Sequence, residues 1–355
     1  MYKAVILADS ISPQGNRLTT MKITFPRFIL AEMNTHRMFS RNSASSRAIP
    51  FKKMVEMVQE NPFIPIAWQK DHKGMQGTEY LTDKEDFGNA VIWCKQDWLK
   101  ARDIAVEQAQ NLNKTGVTKQ LCNRLLEPFM WHTVIVTATE WENFFELRCP
   151  QYEFVYNDET PSKIFRSKKD CSNWYKDEFS TEDNPYNTDL DWLQINKSQA
   201  EIHIQAIAEL MYDAYNESTP KKLEAGEWHI PNFGHEWNIN KLKSLLLSGN
   251  YNDENDITPD INELKIKIST AHNARISYET LGDNPKIDYE ADIRLHDMLA
   301  KSGHWSPFEH VARAMSEEEE SYFYVSDGPN PEDFHSGWCR NFKGFIQYRR
   351  LIENG

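Results

Sequence analysis

Residues 35–47 read Thr-His-Arg-Met-Phe-Ser-Arg-Asn-Ser-Ala-Ser-Ser-Arg. A His-Arg pair at 36–37 opens the stretch, and a Ser-Ser-Arg triplet at 45–47 closes it. Neither the period of a helix nor the alternation of a strand accounts for this arrangement. Hydroxyl, amide and guanidinium groups all donate hydrogen bonds, and guanidinium groups pair strongly with anions. The stretch therefore predicts a loop that holds an anionic ligand.

The sequence on either side of this loop predicts a mixed α/β (α+β) domain. Apolar, β-branched runs at 3–8, 21–30 and 131–138 indicate strands. Helical patterns cover 28–34, 52–59, 85–111, 117–126, 198–216, 261–277 and 289–302. In the longest of these, we expect Val91, Cys94, Trp98, Ala101 and Ala105 to form a buried stripe.

Two further features complete the expected architecture. Thr139 and Glu142 resemble a capping box that opens another helix, which Pro150 ends. Residues 150–196 and 218–260 lack a sustained period, so we expect them to be insertions with irregular structure. The expected fold is a mixed, largely antiparallel sheet packed against a helical region.

Composition narrows the class of protein. The chain has 355 residues, with 40 basic and 53 acidic ones, for a net charge of -13. This acidity argues against a general binder of nucleic acid polymers or membrane surfaces, but it leaves room for a local basic pocket. The five cysteines include no Cys-x-x-Cys pair. They signal neither a disulfide framework nor a metal site and fit a reducing cytoplasm.

Three other blocks accompany the loop. They are Asn-Phe-Phe-Glu-Leu-Arg at 143–148, Ala-Arg-Ile-Ser-Tyr at 274–278 and Ser-Gly-His-Trp-Ser-Pro-Phe-Glu-His at 302–310. With the spacing from His36 to Ser45, they resemble the flavin-dependent thymidylate synthases, whose signature is Arg-His-Arg, seven residues, then Ser. In that family the blocks found here at 274–278 and 302–310 come first. The chain thus resembles a circularly permuted member.

The C-terminal run extends the resemblance. Glu32 and Thr35 stand where the family has Gln and Arg. The run from 341 to 350 is similar to the family helix that carries this Gln-x-x-Arg pair. We therefore expect Gln347 and Arg350 to replace the lost groups from the other end of the chain.

The resemblance implies one permuted catalytic domain over residues 1–355, assembled as a homotetramer with shared active sites. It implies FAD as cofactor, with methylenetetrahydrofolate and NADPH as co-substrates. The implied reaction is the reductive methylation of dUMP to dTMP in the cytoplasm. A permuted, compact nucleotide enzyme would also suit a phage gene.

The resemblance also assigns roles to residues. Arg148 is the expected catalytic residue, because a fixed guanidinium beside the pyrimidine favours the ring anion and raises electron density at C5. The expected substrate-binding residues are Ser45, Ser46, Arg47, Arg124 (from another subunit), Arg148, Gln347 and Arg350. The expected flavin-binding residues are His36, Arg37, Asn143, Ser277, His304, Ser306 and Glu309. No metal is implied.

Each assignment has a structural alternative. Arg148 could complement a helix dipole, His304 could be a C-terminal helix cation, and Ser45 and Ser46 could cap the next helix. Cys149, beside Arg148, is better explained as a small core residue than as a nucleophile.

Alternative functions also stay open. One is a hydroxymethylated product or a cytosine nucleotide substrate, for which Glu32 or Glu146 would accept from the exocyclic amine. The other is a non-catalytic nucleotide-binding relative. The insertion at 150–196 is expected near the outer face of the flavin, where it acts as a lid or changes the specificity for the donor.

Overall fold

The computed structural model describes residues 1–74, 77, 79–82, 84, 88–155, 162–180, 186, 188–232, 236–247, 261–279, 288–326 and 334–353. The helices are α1 (Leu30–Met33), α2 (Phe51–Glu60), α3 (Ala90–Lys114), α4 (Lys119–Cys122), α5 (Glu142–Arg148), α6 (Lys168–Phe179), α7 (Asp189–Ile195), α8 (Ile202–Glu217), α9 (Ile239–Leu247), α10 (Ile261–Ala274), α11 (Ile276–Glu279), α12 (Tyr289–Lys301), α13 (Glu317–Tyr322) and α14 (Tyr348–Ile352). The strands are β1 (Lys3–Ile11), β2 (Arg17–Pro26), β3 (Ser40–Ser43), β4 (Trp131–Ala138), β5 (Tyr152–Phe154), β6 (Lys163–Phe165), β7 (Lys221–Lys222), β8 (Trp228–His229), β9 (Ala312–Ala314), β10 (Tyr324–Ser326), β11 (Phe334–Ser336), β12 (Trp338–Cys339), β13 (Phe342–Lys343) and β14 (Phe345–Gln347).

The main sheet has the order β3-β4-β2-β1-β7. Its pairs are antiparallel except that of β7 with β1. Strand β4 is buried along nearly its whole length, as its β-branched sequence predicts. Because side chains alternate along a strand, Val134 and Val136 point to one face and Ile135 to the other. Both faces of the sheet are therefore covered.

One face packs on helices and the other on a smaller sheet. Val134 and Val136 belong to the largest apolar cluster, which includes residues of α5 and α8. On the opposite face Ile135 contacts a cluster that contains Ile276 of α11. The three-stranded sheet β14-β9-β8 lies in the C-terminal half together with the 3-10 helix Ser306–Glu309. The candidate site lies around the edge strand β3 and draws on elements of both faces, α5 from the first and α11 from the second.

Much of the predicted secondary structure is confirmed, because it rests on local periodicity. Strands β1, β2 and β4, and helices α1, α2, α5, α8, α10 and α12, lie where the sequence predicts them, within a few residues. The helix predicted at 117–126 is short and continues as the 3-10 helix Asn123–Phe129. The mixed α/β fold is confirmed by the arrangement of sheets and helices. No helix in the described ranges has both the length and the apolar character needed to cross a membrane.

Several local predictions are wrong. The stretch at 35–47 is not all loop, since Ser40–Ser43 pairs with β4 as an edge strand. The capping box at Thr139 does not form, because Trp141 occupies the N-cap and the Thr139 hydroxyl accepts from the Lys343 amide at 3.1 Å. The stripe on α3 is displaced, with Val106 and Ala109 buried in place of Ala101.

The two expected insertions contain regular structure. Within 150–196, the β5–β6 hairpin and helices α6 and α7 share an aromatic cluster centred on Tyr152, Phe154 and Trp192. The segment 218–260 contributes β7, β8 and α9, while residues 248–260 lie outside the described part. The sequence did not predict these strands and helices, because they are short and their apolar residues are spaced irregularly.

Candidate active site around strand β3

Strand β3 is the meeting point of segments that are far apart in sequence. It pairs with β4 from Ser40 opposite Thr137 to Ser43 opposite Val134. It also packs against the 3-10 helix Ser306–Glu309 and against α11. The loop at 35–47 therefore forms the centre of an assembly built from both halves of the chain.

At the first end of β3, Arg148 meets His36. The Nε of Arg148, in the last turn of α5, donates to Nε2 of His36 at 3.0 Å, and its Nη2 donates to the Thr35 hydroxyl at 3.3 Å. The His36 ring packs edge-on against Phe144, with 4.8 Å between ring centroids. Because Nε2 accepts this bond, the neutral His36 carries its proton on Nδ1.

The electrostatics keep His36 neutral. Burial, followed by the charges of Arg148 and Arg41, lowers the pKa of His36 from 6.5 to about 4. The Arg148 guanidinium is thus held by an uncharged partner. Its positive charge is fixed in place without being neutralised, which is the property that stabilisation of a developing anion requires.

Two predicted flavin-binding side chains are unengaged. The side chains of Arg37 and Asn143 are exposed, and neither makes a hydrogen bond or ion pair with any described residue. Arg37 follows His36 directly, whereas Asn143 lies in the first turn of α5, five residues before Arg148. Both side chains are therefore available to a ligand, and that of Arg37 belongs to the residue next to His36.

The charged side chain of Arg41, in the middle of β3, lies near two further charged residues from the C-terminal part of the chain. Arg41 donates to the carbonyl oxygens of Met33 at 3.2 Å and His36 at 3.0 Å. Burial lowers the pKa of Arg41, while the nearby carboxylate of Glu309 acts in the opposite direction. Glu309 in turn accepts from Nη1 of Arg349 at 2.5 Å. Glu309, a predicted flavin contact, thus lies between two arginines.

Next to these charges lies a cluster of amides. The Ser306 hydroxyl donates to Oδ1 of Asn42 at 2.9 Å, and Nδ2 of Asn42 donates to the Asn273 carbonyl. Nδ2 of Asn273 donates to the Pro307 carbonyl at 3.0 Å. Oδ1 of Asn273 is buried and has no hydrogen-bond partner among the described residues. A buried acceptor of this kind is expected to bind a donor from water or a ligand.

At the second end of β3 most donors are already used. The Ser45 amide donates to Oγ of Ser277 at 2.7 Å, and the Ser46 hydroxyl donates to Oε1 of Glu127 at 2.8 Å. Nδ2 of Asn123 donates to the Ser46 carbonyl at 2.7 Å. Ser277 thus lies at the loop, and its contact with a flavin stays a prediction. Ser46, however, is buried and bonded to a carboxylate.

Cations surround this second end. Arg47 and Arg124 are exposed and make no hydrogen bond or ion pair with any described residue. Arg124 follows Asn123, which contacts the Ser46 turn, and it lines a surface hollow with Arg27 and Asn34. Its action at the site of another subunit stays a prediction. Nζ of Lys119 donates to the Ala48 carbonyl at 3.1 Å. The capping alternative for Ser45 and Ser46 is wrong, since Pro50 occupies the N-cap of α2.

The C-terminal segment docks on the loop, as the permutation predicts, but through different atoms. Gln347 is fully buried, and its Nε2 donates to the Ser40 hydroxyl at 3.1 Å and to Oδ1 of Asn341 at 2.8 Å. Nδ2 of Asn341 donates to the Met38 carbonyl at 2.9 Å. The Nε2 group of Gln347 thus holds the loop, while its Oε1 is buried without a hydrogen-bond partner among the described residues. Contact between Gln347 and the substrate stays a prediction.

Arg349 of α14 reaches the site through Glu309, and its guanidinium also donates to the carboxylate of Glu353. Arg350 is exposed on the same short helix, and its part in ligand binding stays a prediction. A three-residue spacing read from a pattern cannot fix the rotation of a five-residue helix. The docking of β14 on β9 decides which arginine faces inward.

Two further predicted groups have clear local settings. His304 is exposed after α12, where its Nδ1 pairs with the Ser302 hydroxyl at 2.8 Å and its amide donates to the Leu299 carbonyl at 3.0 Å. Cys149 is buried, and burial raises the pKa of its thiol. Cys149 is therefore a core residue and not a nucleophile.

Sequence reasoning missed several residues of this assembly. They are Arg41, Asn42, Lys119, Asn273 and Arg349. Asn273 and Arg349 adjoin residues that were singled out, so proximity to the matched blocks was the available signal. Arg41 and Asn42 lie inside the opening stretch, but without β3 nothing distinguished them from loop residues.

No protein-family model and no curated protein matches the chain. Among solved structures, the chain is similar to the UMP/dUMP methylase PolB from Streptomyces cacaoi bound with 5-Br UMP, with a TM-score of 0.38 and 14% identity over 61% of this chain and 89% of that one. The same methylase bound with 5-Br dUMP gives a TM-score of 0.37 and 12% identity over 61% and 91%. A likeness at this level carries no argument, so the following proposal depends on the residues of this chain.

Proposed function

We propose that the protein is a flavin-dependent enzyme that transfers a one-carbon unit to C5 of a pyrimidine nucleotide. The proposed reaction is the reductive methylation of dUMP to dTMP, with FAD as cofactor and methylenetetrahydrofolate and NADPH as co-substrates. One observation carries the proposal: four sequence blocks from opposite ends of the chain converge on β3. Arg148 contacts His36, Ser306 contacts Asn42 and Ser277 contacts the Ser45 amide.

The free cations suit a doubly anionic nucleotide and a dinucleotide cofactor. Arg47 and Arg124 at the second end of β3 are exposed beside the turn, where they would bind the nucleotide phosphate. Arg37 at the first end would bind a cofactor phosphate. This local excess of guanidinium groups contrasts with the net charge of -13 for the whole chain, so it supports a small anionic ligand.

Arg148 is the proposed catalytic residue. Its guanidinium, oriented by His36 and Thr35, would lie against the N3 and O2 edge of the pyrimidine. There it would stabilise negative charge on the ring and make C5 more nucleophilic. Removing one such donor typically lowers a rate by about 10²–10³.

The residues present also fit a flavin. Asn143 and Arg37 offer free donors, and Oδ1 of Asn273 is a buried acceptor without a described partner, suited to a ring N–H. A bound FAD reduced by NADPH would supply the hydride. The contribution of the chain is to hold the flavin against the nucleotide and to keep Arg148 charged and immobile.

The test begins with the visible absorption spectrum of the purified protein. A band of oxidised flavin supports the proposal, and failure to bind added FAD overturns it in favour of a non-catalytic nucleotide-binding protein. The loaded protein is then incubated with methylenetetrahydrofolate, NADPH and dUMP, and the product is weighed. A net mass gain of one CH2 unit, the replacement of the C5 hydrogen by a methyl group, supports dTMP formation. The assembly into a homotetramer is checked by light scattering.

A second candidate substrate is a cytosine nucleotide, and the product could then be methylated or hydroxymethylated. It is favoured by Glu32, whose Oε2 is buried without a described hydrogen-bond partner three residues before Thr35. A cytosine offers an exocyclic amine to such an acceptor, whereas uracil offers only O4. The same incubation with dCMP, and with Glu32→Gln as the comparison variant, distinguishes the two substrates.

A further inference from the structure

A chain of hydrogen-bonded side chains crosses the second face of the main sheet. Nδ1 of His229 pairs with the Ser10 hydroxyl at 2.9 Å, and its Nε2 pairs with the Thr20 hydroxyl at 2.8 Å. The Thr20 and Thr137 hydroxyls pair at 2.8 Å, and Thr137 pairs with Nδ1 of His310 at 2.8 Å. Four short hydrogen bonds thus join β1, β8, β2 and β4 to the residue that follows Glu309.

All five members of this chain are buried, and the two histidines are fully inaccessible to solvent. Burial lowers the pKa of His229 to about 3, opposed by the charge of Asp9. Burial, aided by His229, likewise lowers the pKa of His310 to about 3. Both rings are therefore neutral at ordinary pH, and each has one N–H donor and one bare nitrogen acceptor.

Neutral rings allow two continuous arrangements of the protons. In one, every donor points towards His310, and both histidines carry the proton on Nε2. In the other, every donor points towards Ser10, and both histidines carry it on Nδ1. The two tautomers are thus coupled although the rings do not touch.

The ends of the chain differ. Ser10 lines a groove of about 860 Å³ whose wall also includes Trp228, Trp237 and Tyr348. His310 closes the block at 302–310 that packs on β3, and its Nε2 is buried without a partner among the described residues. The chain therefore runs from the wall of a surface groove to the rear of the candidate site.

We infer that Ser10, His229, Thr20, Thr137 and His310 form a proton relay between the candidate site and this groove. When Nε2 of His310 accepts a proton, His310 passes its Nδ1 proton to Thr137, and Thr137 passes its own to Thr20. Thr20 passes its proton to Nε2 of His229, and His229 passes its Nδ1 proton to Ser10. Ser10 releases its own to water in the groove. In total, one proton moves across the second face of the sheet from His310 to the groove. Both histidines change tautomer, and no net charge remains on the buried side chains.

The use of this relay rests on the proposed function, because methylation at C5 requires the C5 proton to leave. The existence of the relay does not depend on the proposed function, since the coupling of the two histidine tautomers is a property of the protein without ligands. His310 is accordingly assigned a positioning and proton-transfer role behind the block, not contact with the substrate.

Nitrogen NMR of the full-length protein labelled with [¹⁵N]histidine tests the coupling, with the two rings assigned from His229→Gln and His310→Gln variants. We expect His229 and His310 to have the same tautomer. Ser10→Ala removes a hydroxyl that lies four hydrogen bonds from His310. It is nevertheless expected to change the tautomer ratio of His310 about fivefold, the effect of one hydrogen bond. Opposite tautomers in the wild type, or no change at His310 in folded Ser10→Ala, would overturn the relay.

Thr20→Val interrupts the chain, so the effect of Ser10→Ala should no longer reach His310, and Thr20→Ser should restore it. The matched control is Thr24→Val. Thr24 and Thr133 make a similar cross-strand pair at 3.1 Å on the same two strands, outside the relay. A Thr24→Val variant that alters His310 as Thr20→Val does would also contradict the inference. Should Thr20→Val fail to fold, Ser10→Ala alone decides the outcome.

Discussion

The two ends of β3 each carry an exposed arginine, but they differ in how their other polar groups are paired. At the first end Arg37 is unengaged, and Arg148 is fixed by a neutral histidine. At the second end, the Ser45 amide and the Ser46 hydroxyl are already bonded within the protein. A serine that lies next to a site in sequence is therefore not automatically a donor to the ligand.

The difference has a simple physical cause. The second end is a turn whose backbone approaches the 3-10 helix Asn123–Phe129 closely, so its polar groups lose water and must be paired internally. At the first end Arg37 is exposed, and the Arg148 guanidinium, in the last turn of α5, is bonded to the uncharged groups His36 and Thr35. At the second end, the groups that stay available to a ligand are therefore the exposed arginines Arg47 and Arg124.

The largest effect is expected from Arg148→Ala at the first end. Loss of the oriented guanidinium should lower kcat for dTMP formation by about 10²–10³ while the protein remains folded. Steady-state turnover and a thermal unfolding curve measure the two quantities. The matched control is Arg166→Ala, because Arg166 pairs with Glu142 at the other end of the same helix at 2.7 Å. Equal losses in both variants would show that α5, and not the guanidinium, is responsible.

At the second end, Arg47→Ala and Arg124→Ala should raise KM for the nucleotide about tenfold to a hundredfold and change kcat little. Each removes a charged hydrogen bond to the phosphate in the ground state and the transition state alike. Initial rates over a range of nucleotide concentrations provide the measurement, with the exposed Lys52→Ala as control. If KM stays at the wild-type value in both arginine variants, the phosphate binds elsewhere.

Acid should lower the free energy of unfolding of the wild type through His36, at the first end of β3, and His36→Gln should prevent this loss. The folded pKa of His36, about 4, lies below its ordinary value of 6.5. The unfolded chain therefore binds more protons between these values, and the wild type loses stability as pH falls from 6.5 towards 4. Glutamine keeps an acceptor for Arg148 but does not titrate. Relative to this variant, the wild type should lose about 1–2 kcal/mol, a figure reduced for partial exposure.

Urea unfolding at neutral pH and near pH 4 measures this difference. A gap between wild type and His36→Gln that stays constant with pH would mean that His36 is not held neutral by Arg148 and burial.

The smallest effects should separate Ser45 from Ser46. Ser46→Ala removes a buried bond to Glu127 and should lower the free energy of unfolding by about 1–2 kcal/mol with little change in KM. Ser45→Ala removes a hydroxyl that has no described protein partner, so stability should be unchanged and KM should rise a few fold. Unfolding curves and initial rates on both variants provide the comparison. The reverse pattern would show that Ser46 leaves Glu127 to bind the phosphate.

Local patterns determined much of the fold. The alternation of β4 and the apolar periods of α2, α8 and α12 depend on neighbours within a few residues, so one sequence suffices to find them. The matched blocks likewise led to Arg148, His36, Ser277 and Ser306, all of which the structure brings to the loop. Element ends and capping were predicted less well, because Lys343 competes for Thr139 from the far end of the chain.

By itself the sequence determined where most of the long strands and helices lie, and that the stretch at 35–47 is rich in groups that bind anions. Only the tertiary structure decided which of them are free to act. It made β3 an edge strand, buried Gln347, turned Arg349 towards Glu309 and aligned His229 with His310. The reason is that burial and long-range pairing depend on segments brought together by folding. A polar group that folding buries against a protein neighbour is bonded to that neighbour. A polar group that stays in contact with water remains free to bind a ligand.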